Sequence, residues 1–413
     1  MRRFLILLLL IAIAGGIWWY FRAKNDQSVL PNKDDFTTFF PIGGERQFSE
    51  LSNDNELDDP TTAPDTTPTK FSQITLQPVS GYTIFNRTKT STTAVADPKQ
   101  KPIVTTTVER VIRYVARSSG YVYEIVNDDA PLQISNVYIP NIYEANFVGN
   151  NRTVFLRFLR DDSKTIATYS VPIPEPNPDN SRTQYPGTYY PDNIKTLVVS
   201  PDSRQVAFLT ENSNVGILWL SGLAGDFIRE FFRHSFGDWL IEWRGQGNFY
   251  LQTKAASSVP GFLYKLDNTK RLKHITGNIA GLTTSVSPKE AYVLYSESAN
   301  NSFNTKILNL SSGKSTPINA KILPEKCTWL KNDDLICAGN DSIQPASYPD
   351  SWYQGTLDFS DKIYRVYTAI SGIDVMSEEA PEQFDMVNLR ADEENRYLYF
   401  IDRRTGLLWR FSY

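Results

Sequence analysis

Four short apolar runs begin 43 residues apart in one register: 206–210, 249–253, 292–296 and 335–339. Each of the first three is followed by a turn and a second apolar run, at 217–220, 262–266 and 306–310. A period in the low forties built from short strands predicts a β-propeller, one four-stranded blade per repeat. The series extends both ways. Val154 opens a copy 52 residues before Val206, Tyr114 another 40 before Val154, and Tyr397 a last one 62 after Leu335. Polar, Pro-bearing insertions at 172–192 and 340–355 fill the longer intervals. Seven copies predict an all-β, seven-bladed propeller over 71–413. Turn signals such as Ser118-Ser119-Gly120 and Arg404-Thr405-Gly406 separate the paired runs.

Strand counting predicts how the ring closes. The last repeat ends on its third strand, 407–413, with no fourth. Residues 71–77 resemble the fourth-strand segments 131–135 and 272–276, so they are expected to supply the missing outer strand, with Ile74 and Leu76 on one face.

Ahead of the repeats, Arg2 and Arg3 precede an apolar stretch from Phe4 to Phe21. Its 18 residues match a hydrocarbon core of about 30 Å, and Trp18, Trp19 and Tyr20 end it as an interfacial belt. The expectation is one uncleaved transmembrane helix over 1–24, N-terminus inside, in a bacterial cytoplasmic membrane. The alternative is a signal peptide cleaved after Ala12-Ile13-Ala14. Residues 25–70, acidic and rich in Pro and Thr around 52–68, read as a disordered tether to an extracytoplasmic propeller.

Thr196-Leu197-Val198-Val199-Ser200-Pro201-Asp202-Ser203 resembles the repeat of TolB-like and WD-repeat-like propellers, in which a strand ends in Ser-Pro-Asp-Gly. Ser203 replaces the turn glycine, and Ser287-Pro288-Lys289-Glu290 is a degraded second copy. The resemblance covers roughly 71–413 and implies a fold rather than an activity. The anchor, the Cys327 and Cys337 segments and Ser351-Trp352-Tyr353-Gln354-Gly355 also resemble membrane-anchored propellers of candidate-phylum bacteria.

Catalytic signals are sparse. A net charge of -4 with no basic stripe gives no support for nucleic acid binding. Two His and two Cys do not form a metal-ligand cluster, and no nucleophile elbow or phosphate-cradling glycine pattern occurs, so no cofactor, metal or catalytic residue is expected. Cys327 and Cys337 flank the Asn332-Asp333-Asp334 turn. Simple pairing sets Cys327 opposite Ala338, so a disulfide needs an odd loop or a bulge. An extracytoplasmic location favours the bridge over two buried thiols. Tyr185, Tyr189, Tyr190, Tyr348, Trp352 and Tyr353 sit on the two insertions. They are candidate partner-binding aromatics, or rings that the loops fold back and bury. The expected role is a protein-binding or scaffolding module of the cell envelope, with the bilayer and an envelope protein as partners. The alternative is a glycan-binding or glycan-cleaving enzyme using carboxylates at the channel mouth.

Overall fold

The computed structural model describes residues 70–93, 103–149, 151–173, 187–245, 247–377 and 382–413. The expected anchor, with Phe4, Trp18, Trp19 and Tyr20, and the tether up to residue 69 lie outside them. Among the described residues no helix is long and apolar enough to cross a membrane.

The strands form seven antiparallel four-stranded sheets, each a blade. Their inner strands are Val79–Thr93, Ile142–Val148, Thr196–Val199, Trp239–Arg244, Thr283–Val286, Cys327–Trp329 and Met386–Asp392, for blades 1 to 7. Every periodic run read from the sequence is the second strand of its blade: Gln205–Asn212 in blade 3, Asn248–Thr253 in blade 4, Tyr292–Ala299 in blade 5. These strands are sandwiched between two neighbouring blades, so both faces are buried. That is why they read as continuous apolar runs rather than alternating ones. Val206, Ala207 and Phe208, for example, are all fully buried.

Among the described residues an apolar cluster sits at each of the seven junctions between consecutive blades. The one joining blades 7 and 1 sets Tyr399, Ile401 and Leu408 against Val79, Ile112 and Ile125. The ring is therefore closed by packing at every junction, at about 25 cal/mol for each Å² of apolar surface removed from water.

The outer strand of blade 7 is Phe71–Gln73, paired with Leu408–Ser412 through Phe71↔Phe411, Ser72↔Arg410 and Gln73↔Trp409. Phe71 is buried, its ring 4.8 Å from that of Phe411 and 5.6 Å from Phe384. The strand is shorter than the 71–77 segment expected from the sequence. Ile74 donates its N–H to the Leu408 carbonyl (2.8 Å), but the chain then turns away and Leu76 is 92% exposed. Ile74 and Leu76 therefore do not share a strand face. Pro78, which has no N–H to give a ladder, follows two residues later.

Blade 1 departs from the repeat. Its first two strands, Val79–Thr93 and Ile103–Ala116, pair out to Thr93↔Ile103, whereas the third strand pairs only as far as Val111. The hairpin thus runs on past the blade, with Val104 and Val108 exposed. In blade 3 the outer strand is Arg229–His234, with a register shift against the third strand at Leu218/Trp219.

Candidate functional site

The inner strands surround a central cavity of about 700 Å³, lined from blades 1, 2, 4, 5, 6 and 7. Strand alternation sorts its wall. In blade 4, Trp239, Ile241 and Trp243 point into the packing against blade 3 and are buried, which turns Leu240, Glu242 and Arg244 to the other face, where Arg244 reaches the channel. Arg244 donates to Glu242 (2.7 Å) and to the Val286 carbonyl (2.8 Å), tying blade 4 to blade 5. On the opposite arc Tyr82 donates its phenol to the Asn388 carbonyl (2.6 Å), and the Arg390 guanidinium lies 5.7 Å from its ring. Glu144 is paired with Arg157 at 2.6 Å.

A second cavity of about 280 Å³ shares Arg244, Ser285, Glu325 and Cys327 with the channel and adds Leu240, Glu242, Tyr250, Gln252 and Pro324. Glu325 stands on the 3-10 turn Pro324–Lys326 that leads into the inner strand of blade 6. Its carboxylate accepts the Tyr353 hydroxyl, and it has no ion pair among the described residues. The side chain is open to channel water yet walled in by the surrounding blades. Burial pushes its pKa up, the Tyr353 hydrogen bond opposes this, and nearby Glu242 adds a smaller upward push. Glu242 is also raised, by burial first, with Arg244 opposing. The second cavity, which opens on the channel wall they share, therefore carries two carboxylates with raised pKa, one of them without an ion pair among the described residues.

The insertion between the second and third strands of blade 6 covers this side. It holds the short helix Asp350–Tyr353, and its Tyr348, Trp352, Leu357 and Phe359 form an apolar cluster with Phe303 of blade 5 and Leu323. Of the six candidate aromatics on the two insertions, three are rings that the loops fold back and bury, the second of the two expected readings. Tyr348 is buried against Phe303 and Phe359, its hydroxyl donating to the Gln344 carbonyl (2.9 Å). Trp352 is buried and donates Nε1–H to Asp385 (2.9 Å). Tyr190 is buried between Phe155 and Phe208 and donates to the Gly222 carbonyl (2.6 Å). Each polar tip finds a partner inside, so the rings serve as loop anchors. Tyr189 and Tyr353 are exposed, and Tyr185 lies outside the described residues.

Cys327 and Cys337 form a disulfide, their Cα atoms 4.1 Å apart. They are directly opposite in the register Cys327↔Cys337, Thr328↔Ile336, Trp329↔Leu335, one residue from the simple pairing expected. The five-residue loop Leu330–Asp334, with Asp333 in the left-handed region at φ 65°, is the odd-numbered connection that sets this register. His234 and His274 stand on outer strands, away from the channel. Among the described residues no three His, Cys, Asp or Glu side chains converge as a metal site.

Glu242, Arg244 and Glu325 were missed in the sequence. The alternation from Trp239 to Arg244 carried the signal for the first two. Nothing local marked Glu325, whose neighbours come from other blades.

No family model matches the chain, and no curated protein matches it. Solved structures do. TolB from Acinetobacter baumannii is 10% identical, with a TM-score of 0.41 over 79% of each chain. In fold, the chain is similar to TolB-type propellers. The β-propeller domain of the Trilobed protease from Pyrococcus furiosus is 8% identical, TM-score 0.46, over 79% of this chain and 89% of that one. An oligogalacturonate lyase in complex with manganese is 9% identical, TM-score 0.47, over 74% and 85%. At these identities the likeness is one of fold alone, and the fold hosts several chemistries.

Proposed function

We propose that this chain is a membrane-anchored, extracytoplasmic binding or scaffolding module of the cell envelope, whose channel mouth receives a polar segment of a protein partner. The observation that carries the reading is Glu325, a carboxylate with no ion pair among the described residues, beside the exposed Tyr353 ring. A carboxylate at the channel with no cation beside it favours a cationic visitor, and tyrosine supplies stiff contact area next to it. The disulfide supports an oxidising compartment. The apolar run from Phe4 to Phe21 supports the anchor.

A photo-crosslinking residue at position 353, and separately at the rim position 132, tests this in detergent-solubilised membranes. Position 353 is expected to capture one defined membrane protein, position 132 none, and Glu325→Lys to abolish the capture. No crosslink at 353 would sink the reading. The two carboxylates of the second cavity are also what a glycan-cleaving enzyme would use. Cleavage of envelope glycan by the wild-type chain, lost in Glu242→Gln, would replace the binding reading with that one.

A further inference from the structure

Beneath the blade 6 insertion lies a second cluster of charge, out of reach of solvent. Lys326, Asp361 and Asp385 have side chains with no exposed surface. The Lys326 ammonium pairs with Asp361 at 2.7 Å and also contacts Asp385 directly. Aromatic rings close around it, Phe359 at 4.6 Å and Trp352 at 5.2 Å from the ammonium. Trp352 Nε1–H donates to Asp385 Oδ2 at 2.9 Å, and the Arg403 guanidinium stands 3.6 Å from the same oxygen. Asp361 Oδ2 accepts the Met386 N–H at 2.7 Å, while its Oδ1 is buried without a hydrogen-bond partner. One ammonium thus faces two carboxylates in a dry, aromatic pocket.

We propose that Lys326 and Asp385 condense to an intramolecular isopeptide bond, with Asp361 as the group that moves the proton. The parts have the roles that amide formation needs. Lys326 Nζ is the nucleophile once it has passed a proton to Asp361, whose pKa burial raises to about 6, with Lys326 opposing and Asp385 reinforcing. Asp385 Cγ is the electrophile. Oδ2 faces the donors Trp352 and Arg403, which stabilise charge developing on it in the tetrahedral intermediate. The Nζ–Cγ bond forms, the Cγ–Oδ1 bond breaks, and Oδ1 leaves as water. It takes two protons from the former ammonium, one of them by way of Asp361. An ammonium and a carboxylate become a neutral amide and one water, so the step balances with no other reactant. Fixed contact replaces a bimolecular encounter, and effective concentrations on the order of 10⁵ M or more then favour a condensation that dilute water opposes. Two charges also disappear from a site that solvates them poorly. The bond would join the entry of blade 6, next to the disulfide, to the entry of blade 7, the blade that closes the ring.

The test is digestion of the full chain, denatured, reduced and alkylated, with a lysine-specific protease. The expected result is no cleavage after Lys326, with 322–331 still joined to 363–413 and the joined species one water lighter than its parts. Lys326→Arg is expected to restore separate peptides of full mass. Asp361→Asn is expected to retain Lys326 and Asp385 uncondensed in a chain that still melts cooperatively, which separates loss of the proton carrier from loss of the fold. Complete cleavage after Lys326 in the wild-type chain, with unmodified masses, would reduce the cluster to an ion pair and overturn the proposal. A condensed Asp361→Asn chain would overturn the role of Asp361.

Discussion

Two turns that look alike in sequence are predicted to respond differently to the same substitution. Ser203 and Glu290 both lie in the left-handed region at φ 57°, where the turn motif elsewhere uses glycine. In both turns the leading serine accepts two backbone N–H groups, Ser200 from Arg204 and Gln205, Ser287 from Ala291 and Tyr292. The left-handed conformation costs an L-residue about 1–2 kcal/mol, partly offset by the extra freedom of glycine in the unfolded chain. Ser203→Gly is therefore expected to raise stability by about 0.5–1 kcal/mol in urea denaturation. Glu290→Gly is expected to lower it, because that side chain bonds Asn248, Tyr250 and Lys265. Glu325 supplies a prediction in pH. Its folded pKa is raised, so the folded state holds the proton more tightly than the unfolded chain does. Its unfavourable contribution is therefore absent below the usual glutamate range and grows as pH rises through the folded pKa. Melting curves of Glu325→Gln should match wild type near pH 4 and lie modestly higher at pH 8, the gap being limited by the open channel water. An unchanged gap across that range would remove the desolvation argument.

At the scale of the element, the outer strand Phe71–Gln73 decides whether the ring has a free edge. Beyond its ladder to Leu408–Ser412, Lys70 accepts the Ser412 N–H (2.8 Å) and Thr75 Oγ1 accepts that of Leu408 (3.0 Å). A chain lacking residues 1–69 keeps all of this and should unfold cooperatively. A chain lacking 1–77 loses it, and Phe71→Ala alone should cost about 3–5 kcal/mol, as removal of a buried aromatic does. Equal melting temperatures for the two truncated chains would show that the strand contributes nothing to closure. The second strands of the blades were legible in sequence because burial on both faces leaves an unbroken apolar run. Inner strands were less so, since residues such as Glu242 and Arg244 on their other face break the run. Of the two readings open for the insertion aromatics, Tyr190, Tyr348 and Trp352 take the buried one. Composition marks a loop as aromatic but does not say which rings return to the blade. Lys326 and Asp385, 59 residues apart in neighbouring blades, share no local signal at all.

At the scale of the whole molecule, the proposed anchor and the disulfide make a joint prediction about which side of the membrane the propeller occupies. Arg2 and Arg3 before the apolar run favour an inside N-terminus, while Arg22 and Lys24 beyond it oppose this weakly. Cys327 and Cys337 are bonded across a hairpin, and bridges of this kind persist in oxidising compartments. A loop with a sequence separation of 10 is short, so the bridge adds only about 2–3 kcal/mol in the chain-entropy model, and retention depends on where the protein resides. Protease added to intact spheroplasts is expected to release a folded fragment that starts within 25–70. With thiols blocked before lysis, that fragment should carry Cys327 joined to Cys337. A propeller protected from protease, with both cysteines alkylated, would place it in the cytoplasm. Release of a fragment with two alkylated cysteines would keep the topology and remove the redox argument for it. A mature chain beginning at Gly15 would replace the anchor with a cleaved signal peptide while leaving the propeller outside. The four outcomes are distinct because protease access reads the side of the membrane, the mapped N-terminus reads processing, and the thiol state reads the compartment.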